Sequence, residues 1–182
     1  MKFSYPHTIQ NNCGEVLIFK LIEHETDGDK VLLESFVQPD KGPVMHVHLL
    51  QDECITVASG KMGYQVLGKA PAYLEAGQSA FFERGTPHRF WNASNEVLHL
   101  TGWIKPAHSI VFFLSALYAA QAKSGSEQPE AFDGAYLVTR YKNEYDLPEL
   151  PAFVKKVIMP LTYLIGKLLG KYKKFEDAPK PV

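Results

Sequence analysis

Apolar and polar positions alternate along much of the first hundred residues. Residues 15–23, EVLIFKLIE, and residues 30–37, KVLLESFV, are rich in β-branched and aromatic side chains. They flank Thr26-Asp27-Gly28-Asp29, a turn with hairpin chemistry. Tyr5-Pro6 suggests an extended arm, after which His7 to Gln10 reads as an edge strand with His7 exposed. Further short strands are predicted at KMGYQV (61–66), AYLE (72–75), SAFFE (79–83), from His88 onward, and at EVLHLTGWI (96–104). Gln38 to Pro43, Ser59-Gly60-Lys61, the segment after Leu67 and Arg84-Gly85-Thr86-Pro87 supply loops and turns. Strands this short, separated by turn signals roughly every 8–12 residues, indicate a β-sandwich or barrel.

The period changes after Lys105-Pro106. Residues 108–123, HSIVFFLSALYAAQAK, are apolar and free of turn residues, which predicts a buried helix. AFDGAYLVTRYKNEY, beginning at Ala131, reads as a second, weaker helix that Leu147-Pro148-Glu149-Leu150-Pro151 breaks. The third runs from about Pro151 to Tyr172 and is amphipathic. Val154, Val157, Ile158, Leu161, Leu164, Ile165, Leu168, Leu169 and Tyr172 fall on one stripe, and Lys155, Lys156, Lys167, Lys171, Lys173 and Lys174 avoid it. Pro160 is expected to kink this helix or start a fresh turn. Such a helix can lie on an anionic membrane, but the stripe is expected instead to cover the barrel or a partner subunit.

With 182 residues, 46% of them apolar, the chain is one domain with room for an appendage. A β-barrel over 1–105 and a helical extension over 106–182, packed on the barrel or on a partner subunit, is the expected division. A net charge of −1 gives no reason to expect nucleic acid. Cys13 and Cys54 fit no CxxC or zinc-finger spacing and read as buried or half-buried thiols in a reducing compartment. MKFSYPHTIQ has no apolar core of a signal peptide, and no run approaches about 18 apolar residues, so a cytoplasmic protein away from membranes is expected.

The chemistry concentrates in GPVMHVHLLQDECITVASG, residues 42–60. On a strand, His46 and His48 project from one side, roughly 6–7 Å apart, close enough to share one ion. Glu53 lies an odd five residues past His48, so it converges only if a corner at Leu49 to Asp52 starts a new strand. On that strand Glu53, Ile55 and Val57 share one face, opposite Cys54, Thr56 and Ala58. His88 opens a further strand. Three imidazoles and a carboxylate suit Fe, Mn, Ni, Cu or Zn as the divalent ion, and on an octahedral ion they leave two positions for water or substrate.

These two blocks resemble the two cupin motifs. His46, His48, Glu53 and Gly60 follow the HxH, Glu, Gly spacing of the first, and Gly77, Gly85, His88 and Asn92 the offsets of the second. The resemblance covers roughly residues 30–104, with a looser likeness of the remainder to small single-domain cupins carrying a helical tail. Glu83 stands where the family usually has Pro, and three residues separate Gly42 from His46 where the full motif has five. The resemblance implies a mainly β fold, a cupin jelly-roll barrel with two to three C-terminal α-helices. It implies His46, His48, Glu53 and His88 as ligands of one divalent transition metal ion, with Asn92 as a structural residue or one behind the ligands. His24 and His99 read as solvated and as a packed or exposed strand histidine, respectively.

Cupins with this ligand set include dioxygenases, isomerases and decarboxylases. The resemblance therefore implies a metal-dependent enzyme, dioxygenase-like or of other Lewis-acid chemistry, on a small apolar or aromatic molecule. Ile55, Val57, Phe90, Tyr64 and Met62 are candidates for the pocket wall, and Glu83 and Tyr64 for a separate acid or base. The alternative is a non-enzymatic binding or sensor protein in which the metal braces the barrel. A metal-free sugar-nucleotide epimerase type fits worse, because the ligand set here is complete. Cupins also resemble one another in forming dimers through barrel edges, so a homodimer is expected.

Overall fold

The structure is a computed structural model and describes residues 3–182. The predicted hairpin forms from β2 (Glu15–Glu23) and β3 (Lys30–Val37), paired from Glu15↔Val37 to Glu23↔Lys30. Its register slips between Phe19 and Leu21. Beyond the slip the alternation no longer points inward, and Leu21 faces solvent. β1 (His7–Gln10) adds to the outer edge of β2. His7 is half-buried rather than exposed: its Nε2 lies 3.0 Å from Ser115 Oγ and its ring packs against Phe3 and Phe19.

The remaining strands are β4 (Val47–His48), β5 (Asp52–Ser59), β6 (Lys61–Val66), β7 (Ala72–Glu75), β8 (Ser79–Phe82), β9 (His88–Asn92) and β10 (Leu98–Lys105). One antiparallel sheet runs β1-β2-β3-β10-β5-β8 and a second runs β7-β6-β9. Val37, Ile55, Val57, Met62, Phe82, Leu98 and Leu100 fill the space between them. The fold is a jelly-roll barrel with three C-terminal helices. Gly42 has φ +154°, and a Cβ there would collide with the Phe90 carbonyl, so the loop into the histidines can cross β9 only with glycine.

Helix α1 (Ile110–Ser124) packs on the face of this sheet that also carries Glu53 and Ile55: Ile110, Val111 and Tyr118 pack against Leu17, Phe19, Val31, Leu33 and Ile104. Gly125, at φ +69°, ends it with a left-handed cap, its N–H donating to Gln121 O. Helix α2 (Ala131–Arg140) is shorter than the 131–145 predicted. The chain turns at 141–144 and forms a two-residue strand, β11 (Tyr145–Asp146), on the free edge of β4, with Tyr145 opposite His48 and Asp146 opposite Val47. Pairing an otherwise open edge overrides the local helical pattern.

The last helix begins with a wide turn, Val154–Ile158, and continues as α3 (Met159–Leu168). The Met159 N–H reaches Val154 O, five residues back. Pro160 has no N–H and its ring crowds the carbonyl four residues earlier, so the helix widens ahead of it. Of the two expected covers for the apolar stripe, the barrel is not the one it meets. α3 packs on α2 through Tyr163 and Gly166, where Tyr136, Tyr163, Tyr172 and Phe175 form an aromatic cluster. Val157, Ile158, Leu161, Leu164, Ile165, Leu168 and Leu169 remain exposed. Tyr172 leaves the stripe because Gly170, at φ +67°, folds the chain back beneath the helix. Among the described residues no helix is long and apolar enough to cross a membrane. Cys13 and Cys54 are half-buried free thiols.

A buried polar knot joins barrel and helices. The Glu144 carboxylate accepts from Ser109 Oγ at 2.7 Å, Ser109 N at 3.3 Å, Gln51 Nε2 at 3.4 Å and Val182 N at 3.2 Å. Gln51 sits in the corner between β4 and β5, so the knot fixes the turn that separates His48 from Glu53. Replacing Glu144 by Ala leaves buried donors unpaired and is expected to cost about 2–3 kcal/mol. Urea unfolding at constant m-value checks this; an unchanged midpoint would contradict the role given to the knot.

Candidate metal centre

Backbone pairing brings the four motif side chains together. His46 and His88 exchange two backbone hydrogen bonds, each 2.9 Å, so the chain entering β4 and the start of β9 lie side by side. The Gly85 N–H donates to His48 O at 2.7 Å. The corner at Leu49 to Gln51 then starts β5, and Glu53, Ile55 and Val57 all point inward, as the alternation predicts. Asp52 points outward and accepts from Arg84 N at 2.8 Å, Nε at 3.0 Å and Nη2 at 2.6 Å, tying the loop before His88 to β5.

One ligand atom from each of His46, His48, Glu53 and His88 lies within 4.8 Å of every other. Glu53 Oε2 is 2.9 Å from His88 Nε2 and 3.6 Å from His48 Nε2. The ring centroids of His46 lie 5.0 Å from His48 and 4.5 Å from His88. Phe82 stacks flat on His88 at 3.9 Å and fixes its plane. His48, Glu53 and His88 are buried; His46 is open to the cavity described below.

Burial would raise the Glu53 carboxyl, but the hydrogen bond with His88 and the charges of His48, His88 and His46 overcome it and hold it at about 2. Burial, reinforced by the neighbouring imidazoles, lowers His46 to about 3. Burial also lowers His48. The cluster therefore presents a carboxylate and neutral His46 and His48 rings at neutral pH.

The residues fit a cation. His46 Nδ1 donates to Val44 O at 2.8 Å and His88 Nδ1 to Thr86 O at 2.9 Å. Both bonds leave Nε2 as the inward atom, the outer-partner arrangement common around metal-bound histidines. With Nδ1 carrying the proton, a neutral His88 would set its Nε2 lone pair against a carboxylate oxygen, a contact that only a proton or a cation relieves. Two neighbouring ligands about 2.1 Å from an octahedral ion are about 3 Å apart, the scale of the Glu53–His88 and Glu53–His48 distances. His48 Nδ1 is buried without a hydrogen-bond partner, so no hydrogen bond from the protein holds the outer side of that ring.

The cluster opens onto a cavity of about 770 Å³. Ile55 and Phe90 line it as expected. Val57, Met62 and Tyr64 do not; they belong to the packing between the two sheets, Tyr64 against Phe82. Glu83 is exposed on the loop after β8, and neither it nor Tyr64 lines the cavity. Asn92 is structural: its Nδ2 donates to Val37 O and Glu96 O, and its Oδ1 accepts from Ser94. His99 pairs with Glu34 at 2.7 Å and stacks on Phe36, outside the cavity lining, and His24 pairs with Asp29 at the surface.

Much of the wall comes from residues that the strand motifs do not contain. Leu114, Leu117 and Tyr118 of α1, Leu137 of α2, and Tyr145 of β11 line the cavity. The Tyr145 ring stands edge-on to His48 at 5.7 Å and packs on Phe113 at 4.1 Å. Glu15, at the start of β2, accepts from Tyr118 Oη at 3.2 Å and Asn11 Nδ2 at 2.9 Å. Burial raises the Glu15 carboxyl. Burial, then the charge of Glu15, pushes the Tyr118 hydroxyl well above its usual value. No spacing signal could have joined Glu15 to Tyr118, which lie 103 residues apart.

The cupin-domain family model matches residues 34–104. The chain carries a cupin domain. An oxidoreductase of Pestalotiopsis fici is 35% identical to this cupin over 100 residues, 50% of this chain and 49% of that protein. The chain thus spans about half the length of the curated relative it matches. A double-stranded β-helix protein of Klebsiella pneumoniae is 22% identical, with TM-score 0.42 over 58% of this chain and 83% of that one. The cupin domain of Schizosaccharomyces pombe Cnp3 is 12% identical, with TM-score 0.44 over 57% and 72%.

If the cluster takes a metal, a divalent transition ion at about a hundred times its Kd should add about 2.7 kcal/mol and raise Tm by about 5–10 °C. Glu53→Gln should abolish that rise. An equal rise in the variant would place the binding elsewhere.

Proposed function

We propose that the protein is a metal-dependent enzyme, dioxygenase-like or of other Lewis-acid chemistry, acting on a small, largely apolar or aromatic molecule. One observation carries this reading. Three histidines and a carboxylate meet on the floor of a large cavity whose wall is mostly aliphatic and aromatic. A volume of about 770 Å³ suits a ligand of drug size, and such a wall favours an apolar body over a bare sugar. The Pestalotiopsis fici relative is an oxidoreductase, which is consistent with this class.

His46, His48, Glu53 and His88 would hold the ion. When bound, a divalent ion supplies Lewis-acid polarisation of a substrate oxygen. The chain supplies the rest. Leu17, Leu33, Ile55, Phe90 and Leu114 exclude water from the apolar body of the ligand. The Glu15–Tyr118 pair is one of the polar features of the wall, opposite in character to that lining. Its proton stays on Tyr118, so the pair offers a hydrogen-bonding handle to a hydroxyl or carbonyl on the substrate.

Catechols, flavonols and β-diketones are the first substrates to test, by oxygen uptake and by product analysis. Turnover should require metal, vanish in His88→Ala, and fall about tenfold in kcat/KM in Tyr118→Phe. Unchanged turnover by metal-stripped protein would contradict the reading. A ligand that perturbs the spectrum of the bound ion without being consumed would instead favour a binding or sensor protein.

A further inference from the structure

The last helix turns an apolar face to solvent. Five large apolar side chains there are more than half exposed: Phe153 at 65%, Leu161 at 53%, Leu164 at 54%, Leu168 at 88% and Leu169 at 61%. Val157, Ile158 and Ile165 extend the same patch. A continuous surface of this kind is rare on a protein that meets only water. It is also not an accident of a loosely placed helix. α3 is anchored on its other face by Tyr163 stacked on Tyr172 at 5.2 Å, and by Gly166, where a Cβ would strike Tyr172 and Phe132. The leucines are therefore held outward.

The charge on the helix itself has one sign. From Pro151 to Phe175 the chain carries Lys155, Lys156, Lys167, Lys171, Lys173 and Lys174 and no carboxylate. Lys155 pairs with Asp146 and Lys174 with Asp133, while Lys156, Lys167, Lys171 and Lys173 are exposed beside the patch. A second copy of this chain would bring the same lysines toward one another across a two-fold contact, whereas a surface of anionic lipid headgroups complements them. Helices that lie in a bilayer interface have this composition: leucines and a phenylalanine on one face and lysines beside it. No helix among the described residues is suited to crossing the bilayer, so the contact is one of lying on it.

We propose that residues 153–171 dock this protein on an anionic lipid surface, with the leucine face in the headgroup–acyl boundary. Lys155, Lys156 and Pro160, from the start of this segment, also line the cavity above the candidate metal centre. Docking would thus set that side of the cavity beside the lipid. The inference stands on the exposed face and its charge, and does not depend on which reaction the site performs.

Co-sedimentation of the full chain with vesicles tests it, using phosphatidylcholine alone and phosphatidylcholine carrying phosphatidylserine. The expected result is binding to the anionic vesicles that weakens as salt rises. In the double variant Leu164→Asp/Leu168→Asp the partition coefficient should fall at least about tenfold. Both side chains are exposed, so Tm and metal uptake of the variant should match the parent. Binding by the variant equal to the parent's would overturn the assignment of this face. So would sedimentation with neither vesicle. In that case a dimeric mass by light scattering, reduced to a monomer in the variant, would assign the face to a second copy of the chain.

Discussion

The structure turns on a buried carboxylate. Glu53 sits inside an apolar barrel, where an unpaired charge would be costly, and it is ionised because three histidines surround it. That requirement shapes the neighbouring backbone. His46 must be stitched to His88, the β4–β5 corner must turn after His48, and the loop before His88 must be held to Asp52 by Arg84. It also limits what the cluster can be for. A buried carboxylate ringed by imidazoles that donate outward to Val44 and Thr86 is half of an arrangement, and a cation supplies the other half.

The C-terminal third does more than cover the barrel. β11 supplies the second neighbour of the histidine strand, and Glu144 fixes the corner through Gln51. α1 and α2 close the cavity above the candidate centre with Leu117, Tyr118 and Leu137. The barrel motifs thus provide the chemistry, while the size and apolar character of the cavity depend on helices from outside them. The chain shares only about half its length with the oxidoreductase it resembles. A substrate cannot be carried over from that relative on the motifs alone, since motifs place ligands and the cavity wall selects what enters.

How much of this was legible in the sequence follows from the range of the interactions. Alternation along β3 and β5 is local, so the strands and the inward face of Glu53, Ile55 and Val57 could be read directly. The clustering of His46, His48, Glu53 and His88 was legible because the two motifs keep their spacing. Tyr64 and Met62 were misplaced because alternation gives a face and cannot tell a cavity wall from the packed space between two sheets. The end of α2 was misjudged because the edge of β4, about a hundred residues earlier, recruits Tyr145 and Asp146. The stripe on α3 was read correctly as a pattern, apart from Tyr172. What covers it was not legible, because a hydrophobic pattern shows which face is apolar and not what lies against it: the barrel does not, and a partner subunit stays an expectation.

The most direct test of the central claim is elemental analysis of freshly purified protein beside a His46→Ala/His88→Ala variant. The account predicts close to one divalent transition ion per chain in the parent and none in the variant, with both proteins folded. No metal in the parent, and none taken up on titration with iron, manganese, nickel, copper and zinc, would contradict it.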